Sequence, residues 1–321
     1  MALTKVSNSI LVQPVNHNIL INPSFTVKQR GDVIDHNTTS YGPDRWKVRG
    51  IDAVGGTMSQ STTVVDPTTG INKLLVKHRN AAYSANTYQH IEAVNIQGMY
   101  GKEMTFSFSY SDTGGSGIPK VEVRSFDPTG TVKILYEAIP TSLGNDRWTC
   151  TFTLSTNDGT IPDPSERGIR VLIYPNEANA APNEWSVWET KLEVGPVATP
   201  FIARQYGEEL ALCQRYYQSI NFKATTPLTA TRRNTNEIGM PVPLYAVMRA
   251  TPTYSNTRDN NTDPLFTLKG DGNNEAFANP SIIYATGFAL LAKSGLSTAV
   301  NNESAYGVSV QSGYLQFDAE I

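Results

Sequence analysis

"EMTFSFSY" (residues 103–110) alternates apolar and polar side chains, as a β-strand does when one face is buried. The same period of two occurs in four further segments, TMSQSTTVV (57–65), KVEVRSF (120–126), RWTCTFTL (147–154) and RGIRVLIYP (167–175). Turn sequences such as DTGGSG and DPTG separate these segments. The pattern therefore predicts short antiparallel strands that pack as a sandwich.

The number of candidate strands narrows the fold class. Nine or ten such segments lie between Ile19 and Val194, without an intervening helical pattern of ten or more residues. That spacing argues against parallel crossover units and favours a jelly roll over a seven-stranded immunoglobulin-like domain. The chain is therefore predicted to be all-β in this region.

"PFIARQYGEELALCQRYYQSI" (200–220) is the one stretch with a clear helical pattern. Its apolar residues fall three and four apart in two lines, Leu210, Cys213 and Tyr217, and Leu212 and Tyr216. Two lines indicate burial on more than one side. Strand-like segments return from Ser219 onward, which predicts a second, smaller β domain after the helix.

These patterns predict four segments: 1–18 as an N-terminal segment, 19–203 as the jelly roll, 204–219 as a linking helix and 220–321 as the C-terminal β domain.

Composition argues against several partners and compartments. The 26 basic and 29 acidic residues give a net charge of −3 without a basic stripe, so no nucleic-acid partner is expected. The two cysteines, Cys150 and Cys213, are too few for a disulfide framework and are expected to be reduced. Because the start is too polar for a signal peptide and no long apolar window occurs, we expect synthesis in a cytoplasm and no membrane insertion.

Catalytic and metal chemistry have little support in the sequence. The four histidines, His17, His36, His78 and His90, have no ligand spacing, so neither a metal nor a cofactor is expected. Carboxylates that a glycosidase would need are available at Asp44, Glu92, Asp112 and Glu193, but any sandwich of this size has such residues. No Gly-x-Ser-x-Gly elbow occurs either. The prediction is a protein that is not an enzyme.

Aromatic residues are the better candidates for a binding role, because pyranose rings stack on tyrosine and tryptophan. Trp46 in "DRWKV" is expected in the core. Trp185 and Trp188 in "EWSVW" are three apart, so they should face opposite sides of a strand, one buried and one exposed. Tyr88 and His90 should share one strand face. The predicted carbohydrate-binding residues are therefore Trp185, Trp188, Tyr88 and His90.

Several segments resemble, in order and spacing, bacteriophage tail fibre and related virion fibre proteins. They are NILINPSF, KQRGD, GPDRW, WETKLEVGPVATPFIARQYGEELALCQRYYQ and MRATPTY, and they span most of the chain. The resemblance implies that the first region is a carbohydrate-binding-module jelly roll of the galactose-binding-like type, joined by EELALCQRYY to the C-terminal β domain. It also implies that the opening MALTKVSNSIL belongs to the part that attaches to the virion.

Two details of the resemblance bear on structure. Related sandwiches hold a structural calcium near the first strand, and Asn22 could lie near such a place, although no Asp-rich loop here demands one. The chain also lacks the long repetitive shaft of many fibres, which predicts a short fibre or knob.

The function predicted from these observations is a non-enzymatic virion fibre or receptor-binding protein, located in the virion. The expected partners are a host surface glycan, other virion proteins through the N-terminal segment, and two further copies of the chain. A homotrimer is predicted, with Leu210, Cys213 and Tyr217 of residues 206–218 at the threefold axis. The alternative is a purely structural baseplate or capsid-decorating fibre without glycan binding. A capsule-degrading enzyme is the third, disfavoured possibility.

Overall fold

The structure, a computed structural model, divides the chain into two compact units, Met1–Tyr206 and Gly207–Ile321. It describes residues 18–36, 39–49, 59–78, 85–113, 117–126, 132–155, 168–176, 183–223, 228–234, 237–258, 266–269, 274–276, 281–285, 288–294, 305–310 and 313–320. The predicted N-terminal segment 1–18 thus lies outside the described residues except for Asn18. In the described part of the chain, no helix has the length and apolar character needed to cross a membrane.

The first unit is an antiparallel sandwich of two sheets. Its strands are β1 (Val33–His36), β2 (Thr39–Tyr41), β3 (Trp46–Arg49), β4 (Ser59–Val65), β5 (Asn72–His78), β6 (Asn86–Ile91), β7 (Glu103–Asp112), β8 (Pro119–Phe126), β9 (Val132–Ala138), β10 (Thr141–Gly144), β11 (Arg147–Thr153), β12 (Gly168–Pro175) and β13 (Asn183–Val194). Between β6 and β7 lie a short helix, α1 (Ala93–Ile96), and a 3-10 turn (Gln97–Met99).

Strands that follow each other in the sequence of this unit often belong to different sheets. One has the order β1-β4-β5-β13-β7-β11-β10 and the other β2-β3-β6-β12-β8-β9. From β3 to β13 the chain crosses repeatedly from one sheet to the other, as in a jelly roll. The predicted all-β jelly roll is confirmed.

The alternation read from the sequence produces the core of this sandwich. In β7 the apolar residues Met104, Phe106, Phe108 and Tyr110 all belong to the buried core. Trp46 is also fully buried, as predicted, and its indole Nε1 donates to the carbonyl oxygen of Asn22 at 2.9 Å. Strands such as β7 therefore contribute one side of their pleat to a shared interior.

A glycine sets the approach of β12 to the segment that follows β6. Gly168 has φ +109°, a conformation that side chains rarely adopt. A Cβ at this position would lie 1.9 Å from the carbonyl oxygen of Ile91. Any larger residue would push these two chain segments apart.

The second unit begins with a helix and continues as two further antiparallel sheets, ordered β14-β23-β17 and β19-β18-β22-β15-β16-β21-β20. Its elements are α2 (Tyr206–Gln214), β14 (Tyr217–Phe222), β15 (Leu228–Asn234), β16 (Glu237–Pro243), β17 (Thr253–Arg258), β18 (Phe266–Lys269), β19 (Asn274–Ala276), β20 (Ser281–Ala285), β21 (Phe288–Ser294), β22 (Ala305–Val310) and β23 (Gly313–Asp318). Residues from both sheets, such as Leu315 and Leu291, share one buried apolar core.

The predicted helix over 204–219 is too long. It ends at Gln214, and Tyr217 already belongs to β14, which pairs with β23 near the end of the chain. The buried side chain of Gln218 stabilises this break, because its Nε2 donates to the carbonyl oxygens of Gln214 at 3.0 Å and Ala246 at 2.7 Å. Pairing with a strand about a hundred residues away therefore outweighs the local helical pattern.

The buried side of the helix also differs from the predicted one. The buried residues of α2 are Glu209 and Cys213, four apart, whereas Leu210 is only half-buried. The line through Leu210, Cys213 and Tyr217 does not exist as a helix face, since the helix stops before Tyr217.

Candidate functional site

The side of the six-stranded sheet that faces away from the core is the candidate site, here called the outer face. On the four central strands of this sheet, residues that point inward join the core, for example Val48 on β3 and Val171 on β12. Their neighbours point the other way. The outer face comprises Tyr41 (β2), Lys47 and Arg49 (β3), Asn86, Tyr88 and His90 (β6), Arg170, Leu172 and Tyr174 (β12), Lys120, Glu122 and Arg124 (β8), and Ile134 and Glu137 (β9).

Three tyrosines on the outer face each have a cationic side chain over the ring. The distances to the ring centroid are 4.6 Å for Arg30 Cζ and 4.7 Å for Lys47 Nζ over Tyr41, 5.1 Å for Arg170 Cζ over Tyr88, and 5.9 Å for Lys120 Nζ over Tyr174. Such contacts are attractive because the ring face is electron-rich. They hold long, charged side chains flat against the sheet.

Glu122 organises the part of the face formed by β8 and β12. Its carboxylate accepts a hydrogen bond from the hydroxyl of Tyr174 and pairs with the guanidinium of Arg124. Burial raises the pKa of the Tyr174 hydroxyl, and the neighbouring Glu122 carboxylate raises it further. Tyr174 therefore stays protonated and acts as a donor at neutral pH.

A row of nitrogen-bearing side chains crosses three adjacent strands of the outer face. Arg170 on β12 lies directly opposite His90 on β6 and opposite Arg124 on β8. Burial lowers the pKa of Arg170, and the positive charges of Arg124 and Arg49 act in the same direction. The guanidinium nevertheless remains charged, because its ordinary pKa lies above 12. The row thus concentrates hydrogen-bond donors and positive charge in one place.

Two of the four predicted carbohydrate-binding residues lie on this face. Tyr88 and His90 share one side of β6, as predicted, with their ring centroids 5.2 Å apart. Both are largely buried, with 4% and 8% of their surface exposed. Solvent therefore reaches little of Tyr88 and His90. It reaches the half-buried side chains of the face, such as those of Arg170 and Tyr174.

The other two predicted residues lie in the seven-stranded sheet, on β13. Trp185 is in the core, 1% exposed, with its ring centroid 5.9 Å from that of Tyr110. Trp188 faces the opposite side but is only 7% exposed, and the Nζ of Lys73 lies 4.3 Å from its ring centroid. The expectation that one of the pair is exposed is wrong. Strand periodicity predicts the side of the strand to which a side chain points, but it does not predict which other side chains cover it.

The outer-face residues that the sequence analysis missed include Arg170, Tyr174, Glu122 and Arg124. A signal for them exists in the sequence. In "KVEVRSF" and "RGIRVLIYP", apolar positions at every second residue alternate with Lys120, Glu122 and Arg124 or with Arg170 and Tyr174. Strands with long polar side chains on their solvent side can be recognised from this pattern, but which strands become neighbours cannot.

The carboxylates considered for hydrolysis all accept hydrogen bonds from other residues of the protein. Asp44 is buried and accepts from the backbone nitrogen of Gln29 at 3.0 Å. Glu193 is also buried and accepts from the backbone nitrogen of Thr199 at 2.8 Å. Asp112 accepts from the hydroxyl of Tyr110 at 3.2 Å, and Glu92 from the side-chain amide of Asn95 at 3.5 Å.

Asn22 has a structural role. Its side-chain oxygen accepts from the backbone nitrogen of Val27 at 3.0 Å, and its backbone oxygen accepts from Trp46 Nε1 at 2.9 Å and from the backbone nitrogen of Phe25 at 3.1 Å. Both oxygens thus have hydrogen-bond partners within the fold. Among the described residues, no group of three or more His, Cys, Asp and Glu side chains is placed to hold a metal ion.

The three residues predicted at a threefold axis differ in accessibility. Cys213 is fully buried and Tyr217 is 4% exposed within a single chain. Neither therefore offers a surface to a second copy. Leu210 is half-buried and remains the one member of the set that a further chain can cover.

Comparisons with known proteins give distant structural likenesses. No protein-family model and no curated protein matches the sequence. The solved structures that are similar include the enzymatically active domain of tailspike protein 4 of bacteriophage CBA120 (TM-score 0.34, 12% identity, 56% of this chain). They also include a family 22 carbohydrate-binding module of a Clostridium thermocellum xylanase (0.32, 15%, 52%) and a cellulose-binding domain of a Cellulomonas fimi glucanase (0.31, 12%, 52%). The match spans 22% of the tailspike chain, 99% of the carbohydrate-binding module and 97% of the cellulose-binding domain.

Proposed function

We propose that this protein is a non-enzymatic bacteriophage virion fibre protein that recognises a host surface saccharide through the outer face. The observation that carries the proposal is the combination on one sheet of tyrosine rings, cationic donors and an engaged carboxylate. Saccharides present hydroxyls in fixed directions, and arginine, lysine and glutamate side chains bind hydroxyls by hydrogen bonds. The tyrosines add flat, partly apolar surface beneath those groups.

The size of the face suits an oligosaccharide. Six neighbouring strands, each about 4.8 Å from the next, make a surface about 24 Å wide. The residues named above lie on β2, β3, β6, β12, β8 and β9, so polar groups are distributed over most of that width. Several sugar units can therefore be contacted at once.

The virion assignment rests on the segments that resemble phage fibre proteins. In this proposal residues 1–18 attach the protein to the particle, and three copies present three equivalent outer faces. Weak saccharide sites gain avidity when several sit on one assembly, because the second and third contacts form at high effective concentration.

A structural virion component is the second candidate, and three exposed aliphatic side chains favour it. Ile134 on the edge strand β9, Ile139 beside it and Leu143 on the edge strand β10 are 54–56% exposed. Exposed aliphatic side chains on unpaired sheet edges suit a contact with another protein. In that case the jelly roll would join virion proteins without binding a glycan.

Binding to a panel of bacterial surface polysaccharides of known composition tests the proposal. Purified full-length protein should bind some members and adsorb to the cells that carry them. Lys47→Ala, on the outer face, should reduce that binding. Lys77→Ala is the matched control, because Lys77 is also a strand lysine but lies on β5 of the other sheet.

Two results would contradict the proposal. Retained binding in Lys47→Ala together with a loss in Lys77→Ala would move the site to the other sheet. Absence of binding to every polysaccharide and to cells would favour the structural candidate instead.

A further inference from the structure

We propose that the saccharide recognised by the outer face is anionic, with a carboxylate or phosphate group that sits over the row formed by His90, Arg170 and Arg124. The inference rests on the proposed function and specifies its ligand class. Three features of the face support it: cations lie over the tyrosine rings, two arginines are neighbours on adjacent strands, and the face has more positive than negative side chains.

The ring surfaces of the three tyrosines are already occupied by the protein's own cations. The guanidinium carbon of Arg170 lies 5.1 Å from the Tyr88 centroid, and the ammonium of Lys47 lies 4.7 Å from that of Tyr41. A neutral sugar that stacks on these rings would have to displace the charged groups. An anionic sugar can instead bind the cations where they are, since they are already held in place.

The row places two like charges side by side on adjacent strands. Arg170 and Arg124 are direct cross-strand partners, so their Cβ atoms are about 5 Å apart. Like charges in this position repel, and the lowered pKa of Arg170 reflects that repulsion in addition to burial. Glu122 already pairs with Arg124. An anion bound at Arg170 would add a second counter-charge between the two guanidinium groups and accept charge-assisted hydrogen bonds.

The surplus of positive charge is local. The central strands of the outer face carry five Lys and Arg residues, Lys47, Arg49, Lys120, Arg124 and Arg170. In the described part of the chain, the same face carries two carboxylates, Glu122 on β8, which pairs with Arg124, and Glu137 on β9, which pairs with Lys120. The whole chain has a net charge of −3. Electrostatic attraction therefore directs an anionic polymer to this face rather than to the molecule in general.

Chemical reduction of the ligand gives a test that needs no variant. The polysaccharides of the panel are scored as anionic or neutral, and an anionic member that binds is treated so that its uronic acid carboxylates become primary alcohols. The sugar backbone stays the same. We expect wild-type protein to lose roughly tenfold or more of its affinity for the reduced polymer, because charged hydrogen bonds become neutral ones. Where the anionic group is a phosphate, enzymatic dephosphorylation replaces the reduction.

Variants locate the anionic group on the row. Arg170→Gln and Arg124→Gln should each lose roughly tenfold in affinity for the untreated polymer. Lys73→Gln is the matched control, since Lys73 is also a half-buried cation over an aromatic ring, Trp188, and pairs with a carboxylate, yet lies on the other sheet. It should bind as the wild type does. Arg170→Lys, which keeps the charge but not the planar fork, should show an intermediate loss.

The outcomes separate the two proposals. Binding to neutral polysaccharides alone, or an unchanged affinity after carboxylate reduction, would overturn the anionic ligand and leave saccharide recognition standing. A failure to bind any saccharide would overturn both. Equal losses in Lys73→Gln and Arg170→Gln would show attraction of a polyanion without a defined site, which also contradicts the row.

Discussion

The Nζ of Lys73 lies 4.3 Å from the ring centroid of Trp188, and the same ammonium pairs with Asp66 at 2.9 Å. Trp188 is on the solvent side of its strand and is nevertheless nearly inaccessible. We expect the lysine to cover the ring, since a lysine stem packs on apolar surface and Asp66 holds its ammonium in place. The hydrogen bond from Lys73 is the largest cause that lowers the pKa of Asp66. The ammonium of Lys73 therefore favours the charged form of the Asp66 carboxylate.

Removal of that cover should expose the tryptophan. In Lys73→Ala we expect more efficient acrylamide quenching and a red shift of the fluorescence, while the free energy of unfolding changes by about 1 kcal/mol or less. Lys73→Arg, which retains a cation over the ring, should quench as the wild type does. Unchanged quenching in Lys73→Ala would mean that other atoms cover Trp188.

Trp185 should behave as a core residue and not as a binding residue. Trp185→Ala should cost about 3–5 kcal/mol of unfolding free energy, because a large cavity opens beside Tyr110. Within the described residues its Nε1 has no hydrogen-bond partner, so Trp185→Phe should cost clearly less. Urea denaturation measures both. Equal losses in the two variants would indicate a polar contact of the indole.

Alkaline pH should destabilise the protein through groups that are buried in the protonated form. Burial raises the pKa of the Cys150 thiol from 9.0 to about 12, and burial also raises the pKa of Tyr136 and Tyr174. At pH 7 these groups are protonated in both states. As the pH rises from about 9 toward 12 the unfolded chain loses protons that the native chain retains, so the free energy of unfolding falls.

Urea midpoints at pH 7, 9 and 10.5 check this expectation, with Tyr174→Phe as a variant that should show a shallower decline. The native protein should also react slowly with a thiol reagent at pH 8, since both cysteines are buried. Rapid reaction of one thiol in the native state would contradict the burial.

The proposed homotrimer predicts a solution mass three times the 35.1 kDa of one chain. Leu210→Glu should reduce that mass if the half-buried side chain lies against other copies, since three carboxylates would meet in a dry interface. Light scattering coupled to size exclusion measures it, with the exposed Glu208→Gln on the same helix as control. A wild-type mass of one chain would contradict the trimer.

No hydrolase or lyase activity is expected on the polysaccharides that the protein binds. The carboxylates Asp44 and Glu193 are buried and bonded to backbone amides, and so are not available to a glycosidic bond. An assay for new reducing ends and unsaturated sugars, against heat-inactivated protein, measures this. A signal above the control that is lost in Glu122→Gln would identify an enzyme on the outer face.

The sequence by itself determined the all-β class, the positions of strands such as Glu103–Asp112, and the burial of Trp46. These features depend on a period of two and on local turn chemistry, and both are properties of a short stretch of chain. The side to which Tyr88 and His90 point follows from the same period.

Only the tertiary structure decided where the helix ends, what covers Trp188, and which charged residues meet on the outer face. Each of these depends on residues far apart in sequence: β14 pairs with β23, Lys73 packs on Trp188, and Arg170 lies between His90 and Arg124. Periodicity fixes the direction of a side chain relative to its own strand, but strand order and register fix its neighbours, and those are set by packing of the whole sheet.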